Sequence, residues 1–179
     1  MEQSEMVALI RGGVPGPGGV WADLGAGTGN FSWALAELIG PQGTIYAIDR
    51  DAKAIRQLHQ RSAQADPGAA IIPQQADLTR PLDLPTLDGV LLANALHFIR
   101  DQPATLALVA GYLRPGGRLL LVEYDLRNPL PWVPFPVSLA RLEPLATEAG
   151  FEKPTEIGRR VSPSSGVAMF AALALRRRA

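Results

Sequence analysis

Three glycines stand at alternate positions, Gly25, Gly27 and Gly29, in the segment WADLGAGTGNF over residues 21–31. Glycine has no side chain and loses more conformational freedom on folding than any other residue, so such a dense group needs a reason. A short apolar run precedes the glycines, and apolar residues follow them at helical spacing. The segment therefore predicts a strand, a tight bend and a helix, with a backbone that another group approaches closely.

The same alternation of short apolar runs and helical patterns continues along the chain. It predicts strands over residues 18–24, 44–48, 69–72, 89–93 and 118–124, separated by helices over 31–39, 51–63 and 103–113, the last stopped by the turn 114–117. Strands that alternate with helices form a parallel sheet covered by helices on both faces. Pro73 closes the third predicted strand and favours a place for it at the edge of the sheet.

The last third of the chain departs from this alternation. A helix is predicted over residues 139–149, and the final strands, 155–161 and 167–175, are joined by a short Ser- and Gly-containing segment. Only an antiparallel pair can be joined by so short a connection. The sequence thus predicts an α/β fold: a doubly wound sheet of seven strands, mostly parallel with an antiparallel last strand.

Composition limits the classes of partner. Lysine plus arginine and aspartate plus glutamate number 17 each, so the formal net charge is zero and favours neither nucleic acid nor an anionic membrane as the main partner. The chain has no cysteine and no metal-site spacing of His, Asp and Glu, so we predict no metal. No window approaches the roughly 20 apolar residues of a membrane span. The N-terminus lacks signal-peptide features, and we expect a cytoplasmic protein.

Two kinds of ligand compete for the glycine bend. The dinucleotide fingerprint has the spacing G-x-G-x-x-G, with a pyrophosphate at the helix N-terminus. Here the third glycine comes one position early, and Asn30 stands where that fingerprint has glycine. Asp23, ahead of the bend, is a poor neighbour for a pyrophosphate and a good one for an ammonium group. A nicotinamide-dependent reductase is therefore the less favoured interpretation.

The pattern Asp-x-Gly-x-Gly-x-Gly after a first strand resembles motif I of the class I S-adenosylmethionine-dependent methyltransferases. Further segments resemble the small-molecule, type 11-like branch of that family, and the likeness extends over nearly the whole chain. They are Ile48-Asp49, QQADL with Asp77, LDGVLLANALHFIRD over 87–101 and YLRPGGRLLLVEYD over 112–125. The resemblance implies a Rossmann-like fold and S-adenosyl-L-methionine as the cofactor.

The resemblance also implies roles for individual residues. Asp23 would orient the amino group of the methionine part, Asp49 would accept the two ribose hydroxyls, and Asp77 would accept the adenine amino group. Local alternatives stay open for each: bonds to loop amides for Asp23, a helix N-cap for Asp49 and a turn for Asp77. The predicted cofactor-binding residues are Asp23, Gly25, Ala26, Gly27, Asn30, Asp49, Arg50, Asp77, Leu78 and Asn94.

The acceptor side is less defined. His97 is a candidate general base because the unperturbed pKa of histidine lies near neutrality, and a packed histidine that braces the start of the next helix is the equal alternative. The predicted acceptor contacts are Glu123, Tyr124, Trp132 and Phe135, the last two on a proline-rich loop over 126–137. Structural roles are the alternative: the first two residues could support the strand end, and the two aromatic side chains could pack under the loop. A short N-terminal helix and lead-in, residues 1–17, would open a single methyltransferase domain over 1–179.

These observations predict a methyltransferase that moves a methyl group from S-adenosylmethionine to a small organic acceptor by in-line displacement. The motif of enzymes that methylate nucleic-acid amino groups, Asn/Asp-Pro-Pro-Tyr, is absent. The sequence shows no inserted helical lid, so we expect an open site, one that a second subunit completes in a homodimer, or one fitted to a larger partner. A non-catalytic module that keeps the fold for cofactor binding or regulation is the alternative from a different class.

Overall fold

A computed structural model describes residues 1–178 of the chain. The helices are α1 Gln3–Ile10, α2 Asn30–Ile39, α3 Ala52–Gln64, α4 Gln102–Tyr112 and α5 Leu139–Glu148. The strands are β1 Gly19–Leu24, β2 Gly43–Asp49, β3 Ala70–Gln75, β4 Leu87–Ala93, β5 Leu113–Tyr124, β6 Thr155–Val161 and β7 Ala168–Leu175. Short 3-10 turns lie at Arg11–Gly13, Gly40–Gln42 and Leu96–Phe98.

All strands join one seven-stranded sheet in the order β3-β2-β1-β4-β5-β7-β6. Strands β1 to β5 are parallel to one another, and β7 is antiparallel to both β5 and β6. The predicted Rossmann-like, doubly wound sheet with an antiparallel last strand is confirmed.

Alternate residues of the central strands enter two separate cores, as the twofold repeat of a strand requires. In β5, Leu119 and Leu121 belong to the core beneath α4 and α5, whereas Leu120 and Val122 belong to the core beneath α1 and α2. A small third cluster joins α2 and α3 through Trp33, Ala47 and Leu58. Helices therefore cover both faces of the sheet, as predicted. No helix within residues 1–178 has the length and apolarity needed to cross a membrane.

The structure corrects the end of the third strand. We predicted that Pro73 closes it, but β3 continues to Gln75 and Pro73 pairs in register with Ala47 of β2. The amide of Ala76 donates to Asp49 O (3.0 Å), so alternation along the strand places the Pro73 nitrogen on the outer side of β3. The missing N–H costs no ladder bond there, because β3 is an edge strand, as expected.

The start of the fifth strand is also corrected. Helix α4 ends at Tyr112, but β5 begins at Leu113 rather than after the predicted turn 114–117. Leu113 is fully buried and pairs with Leu87, and the register then shifts before Gly89 pairs with Arg118. The strand therefore begins at the buried Leu113 and continues through the proline- and glycine-containing segment 114–117.

Candidate active site

Two adjoining cavities lie at the carboxyl ends of β1, β2 and β4, where ligands bind in open parallel sheets. Their volumes are about 770 Å³ and about 350 Å³. Gly25, Gly27 and Asn94 line both cavities, so the two form one crevice. The larger cavity also has Asp49, Arg50, Asp77 and Leu78 in its wall, and the smaller one has Asp23, Ala26 and Asn30. The fold thus brings every predicted cofactor-binding residue to this crevice.

The structure assigns different reasons to the three glycines, although all have positive φ angles of 81°, 55° and 85°. A Cβ on Gly25 would lie 2.6 Å from the Cβ of Ala95, and one on Gly29 would overlap the side chain of Leu58. Gly25 and Gly29 are therefore needed for packing within the protein. A Cβ on Gly27 would meet nothing within 4 Å. Gly27 is the position where a missing side chain leaves free space.

Asp23 is buried at the end of β1 with one carboxylate oxygen unsatisfied. Its Oδ2 accepts a hydrogen bond from Ser32 Oγ (2.6 Å), and Oδ1 is enclosed without a partner. Burial raises the pKa of Asp23 to about 7, the Ser32 bond opposes this shift and the charge of Asp49 adds to it. The partner is a helix hydroxyl rather than a loop amide. An enclosed acceptor of this kind calls for a donor from a ligand, because leaving it unpaired costs free energy.

Asp49 ties the glycine bend to the end of β2. Its Oδ2 accepts from the amide of Gly27 and its Oδ1 from the amide of Asp51, each at 2.8 Å. The N-cap of α3 is Asp51, whose Oδ1 accepts from the Lys53 amide, so Asp49 is not the cap. A carboxylate has about four lone-pair sites, which leaves capacity for further donors in the larger cavity.

Asp77 stabilises a local turn, which was the alternative to adenine binding in the sequence analysis. Its Oδ1 accepts from both the amide and the hydroxyl of Thr79, at 2.9 and 2.7 Å. These two hydrogen bonds hold the pKa of Asp77 below its usual value. Its Oδ2 has only a distant contact to Arg80 Nε at 3.9 Å. The turn therefore occupies one oxygen of an ionised carboxylate and leaves the other without a close partner.

Asn94 stands where the two cavities meet, in an uncommon backbone conformation. Its φ of 52° is positive, unlike that of every other non-glycine residue within 1–178. Its amide donates to Val122 O (2.8 Å), and its side-chain Oδ1 is enclosed without a partner. Asparagine tolerates this region better than most residues, and strain of this kind clusters at functional sites.

Some lining residues escaped the sequence analysis. The segment from Phe98 to Thr105 forms one wall of the larger cavity, and its place directly after β4 was the signal that could have found it. Met1 and Met6 line the smaller cavity. No local pattern points to them, because they arrive through the tertiary packing of α1 against α2 and β6.

The candidate base and acceptor residues do not line either cavity but gather beside the larger one. His97 and Glu123 are buried, with Nδ1 and Oε2 2.6 Å apart, and the His97 amide donates to Oε1 (3.2 Å). The centre of the His97 ring lies 4.2 Å from that of Phe98 and 5.9 Å from that of Tyr124. The rings of Tyr124 and Trp132 are 4.8 Å apart between their centres. Phe98 joins this cluster to the larger cavity, which it lines.

The proline-rich loop is fastened to the turn that carries His97. The amide of Phe135 donates to His97 O at 3.0 Å, and the buried Gln102 donates through Nε2 to Phe135 O at 2.8 Å and to Leu96 O at 3.3 Å. The guanidinium of Arg100 lies 5.9 Å from the centre of the Phe135 ring. Among residues 1–178, no group of three or more His, Asp or Glu side chains is arranged to hold a metal ion.

Comparison with known proteins agrees with this architecture. A family model described as a methyltransferase domain matches residues 22–119, more than half of the chain. A demethylmenaquinone methyltransferase from Symbiobacterium thermophilum is 30% identical over 111 residues, which are 60% of this chain and 43% of that protein. A probable cobalt-precorrin-6B C(15)-methyltransferase from Thermoplasma volcanium is 28% identical over 120 residues, which are 67% of this chain and 58% of that protein.

The chain therefore spans about half the length of these two relatives. Among solved structures, the YcgJ protein of Bacillus subtilis superposes with a TM-score of 0.79 at 13% identity, over 98% of this chain and 100% of that one. At that identity the likeness concerns the fold alone. The family match, the sheet order and the glycine bend together show that the chain belongs to the class I S-adenosylmethionine-dependent methyltransferases.

Proposed function

We propose that the protein is a methyltransferase that holds S-adenosylmethionine across both cavities and methylates a small organic acceptor. The observation that carries this proposal is the unsatisfied Asp23 oxygen on one side of the glycine bend, with the Asp49 carboxylate on the other. A ligand that spans this crevice needs an ammonium group at one end and vicinal hydroxyls farther along. The aminoacyl nucleoside has both, whereas a dinucleotide would bring a pyrophosphate toward two carboxylates.

The smaller cavity would hold the methionine part. There the ammonium group would donate to Asp23 Oδ1, the enclosed acceptor. Gly27 leaves open space beside the bend, and Asn30 begins helix α2, whose first amides favour a carboxylate. Ala26 lies in the same wall.

The larger cavity would hold the adenosine part. Asp49 is fixed by two main-chain amides, which keeps its remaining lone pairs directed for the two ribose hydroxyls. The Asp77 oxygen that Thr79 does not use and the backbone of Leu78 would receive the adenine edge, with Arg50 beside the ring. Asn94 borders both cavities and would contact the methionine part near the reacting carbon.

When bound, the cofactor supplies a methyl group on a positively charged sulfur and a neutral leaving group. The chain has to orient the acceptor and exclude water. Well-oriented reactions reach effective molarities of about 10⁵–10⁸ M, so positioning alone supplies a large share of the acceleration. The acceptor would approach from the side of the loop over 126–137. The two curated relatives are named a demethylmenaquinone methyltransferase and a probable cobalt-precorrin-6B C(15)-methyltransferase, and these names support a small organic acceptor.

Calorimetric titration tests the proposal. We expect one-site binding of S-adenosylmethionine and S-adenosylhomocysteine and no binding of NADH, followed by isotope transfer from methyl-labelled cofactor to a small acceptor. Binding of NADH without competition from S-adenosylhomocysteine would instead indicate a nicotinamide-dependent reductase. Tight cofactor binding without methyl transfer to any acceptor would indicate a non-catalytic module.

A further inference from the structure

The buried pair of His97 and Glu123 is more than a packing contact. Glu123 has no exposed surface, and both of its oxygens are engaged by one residue, through the His97 amide and Nδ1. A buried carboxylate is tolerated only when it is paired and hydrogen-bonded. As a carboxylate, Glu123 can only accept a hydrogen bond, which assigns the imidazole proton to Nδ1. This assignment leaves Nε2 as a proton acceptor.

His97 Nε2 is nearly buried, but no other described residue engages it. Within the part of the chain that the structure describes, Nε2 has no hydrogen-bond partner, and it is not among the enclosed side-chain atoms that lack one. The side chain keeps an exposed fraction of 3%. His97 lies three residues after Asn94, and its ring touches Phe98, which lines the larger cavity. An acceptor in that cavity would therefore approach Nε2 past the Phe98 ring.

The rings around His97 favour a flat acceptor. Phe98 and Trp132 are 56% and 40% exposed, although large aromatic side chains usually lie buried. Tyr124 meets Trp132 edge to face, with ring centroids 4.8 Å apart. Aromatic faces and edges of this kind bind planar conjugated molecules by offset or edge-to-face stacking.

The charges around the cluster favour an acceptor that loses a proton over one that arrives as an ammonium ion. Of the described carboxylates beside the cluster, Glu123 is engaged by His97, and Asp125 accepts from the Leu139 amide and pairs with Arg159 at 2.8 Å. Asp101 caps α4 through the Ala104 amide. Arg100 is exposed, lines the larger cavity and lies near the Phe135 ring. Its positive charge suits an anion that forms at this place.

We propose that His97 and Glu123 form a proton-accepting pair for a planar phenolic or enolic acceptor, an inference that rests on the proposed function. The acceptor O–H bond breaks, its electron pair stays on the oxygen, and the proton moves to His97 Nε2. His97 is the catalytic base. Glu123 is a positioning residue, which fixes the imidazole through Nδ1 and balances the imidazolium charge.

A coloured phenol tests the pair without turnover. 4-Nitrophenol, whose phenolate absorbs visible light, is titrated with protein saturated in S-adenosylhomocysteine across a range of pH. We expect saturable binding and an ionisation constant of the bound phenol raised at least about tenfold, which corresponds to about 1.4 kcal/mol. Glu123→Gln keeps an acceptor for Nδ1 but removes the charge, so it should abolish most of this effect. His97→Gln should abolish it entirely.

The matched control is His59→Gln, because His59 is the second of two histidines in the chain and is exposed on α3. The His59→Gln protein should raise the ionisation constant of bound 4-nitrophenol as much as the unchanged protein does. With two histidines, ¹⁵N spectra of the unchanged protein also report the tautomer directly, even where a variant fails to fold. We expect His97 to carry its proton on Nδ1 at neutral pH.

The outcomes can be told apart because binding of S-adenosylhomocysteine is measured first on every protein. Absence of that binding in the unchanged protein contradicts the proposed function. Intact binding with no bound 4-nitrophenol overturns the inference about the pair. An unshifted ionisation constant, a Glu123→Gln protein that behaves like the unchanged one, or a proton on Nε2 overturns it as well.

Discussion

The glycine bend and the cluster around His97 follow neighbouring strands of one sheet, yet they are held together differently. The bend is a short stretch whose φ angles and one carboxylate, Asp49, fix its shape through main-chain amides. The His97 cluster joins the turn after β4, the end of β5 and the proline-rich loop through side-chain contacts between residues 26 and 33 positions apart.

This difference in how the two regions are held predicts different effects of mutation. The bend presents unsatisfied acceptors and free space, at Asp23 and Gly27, so changes there should alter ligand affinity first. In the cluster, Glu123, Gln102 Nε2 and the Phe135 amide all have partners within the protein, whereas Gln102 Oε1 and His97 Nε2 have none among the described residues. Changes there should alter the position and stability of the acceptor side and leave cofactor affinity intact.

Asp49→Ala should have the largest effect. We expect affinity for S-adenosylhomocysteine to fall at least about 100-fold, because two hydrogen bonds to a charged group are worth about 1.5–3 kcal/mol each. The fold should survive, since Asp51 caps α3. Calorimetry measures affinity and circular dichroism the fold. Asp66→Ala, an exposed turn residue, is the control, and unchanged affinity in Asp49→Ala would refute the cofactor site.

Replacing Gly27 or Gly25 with alanine, one at a time, should show that the first affects mainly cofactor affinity and the second mainly the free energy of unfolding. Gly27→Ala would put a methyl group into the free space and should weaken cofactor binding at least about tenfold, about 1.4 kcal/mol. Its cost to folding should be about 1–2 kcal/mol from the left-handed backbone alone. Gly25→Ala adds an overlap with Ala95, so its cost should reach about 2–4 kcal/mol. Equal losses in urea unfolding for the two variants would contradict this distinction.

The pH dependence of cofactor binding should follow Asp23. Its pKa of about 7 means that the carboxyl group is mostly protonated below neutrality, whereas an ammonium ligand selects the carboxylate. Affinity should rise up to about tenfold per pH unit below pH 7 and then level off, with a proton released on binding. Calorimetry in buffers of different ionisation enthalpy counts that proton.

The same group should affect the unliganded protein in the opposite sense. Because folding raises the pKa of Asp23 above its usual value of 3.8, its contribution to stability is lost as pH rises from about 4 to beyond 7. Asp23→Asn should remove both pH dependences, with Asp66→Asn as the control. A binding curve for Asp23→Asn that still rises through pH 7 would assign the proton to another group.

Gln102→Leu should have the smallest effect on the cofactor and a measurable one on the acceptor side. It removes the donor that joins Phe135 O and Leu96 O, and leaving them unsatisfied should cost about 1–3 kcal/mol of unfolding free energy. Affinity for S-adenosylhomocysteine should stay within about twofold, or about 0.4 kcal/mol. A large loss of affinity in this variant would mean that the two sides are coupled.

The grouping of residues around the crevice could be predicted because its signals are local. The spacing of Asp23 and the glycines, and the acids after β2 and β3, sit at strand ends that a parallel sheet must bring together. The reasons for the individual glycines could not be predicted, since they depend on Ala95 and Leu58 from other elements. The approach of Met1 and Met6 likewise depends on how α1 packs.

The acceptor side was predicted as separate residues and not as an arrangement. Glu123, Tyr124 and His97 were each singled out, but nothing in their spacing shows that one histidine engages both oxygens of Glu123. The pairing depends on the register of β4 against β5, which places Ala93 opposite Val122. That register in turn includes a shift near Leu87 and a strand start that propensity alone did not predict.

The proline within β3 has a consequence for how copies of the protein meet in concentrated solution. An exposed strand edge is a template on which another chain can add a strand and begin an aggregate. At this edge the outward-facing nitrogen of Pro73 offers no hydrogen, so an incoming strand finds a gap in the middle of the row. Replacing Pro73 with valine would restore that hydrogen and should make the protein more prone to aggregate while leaving the crevice unchanged.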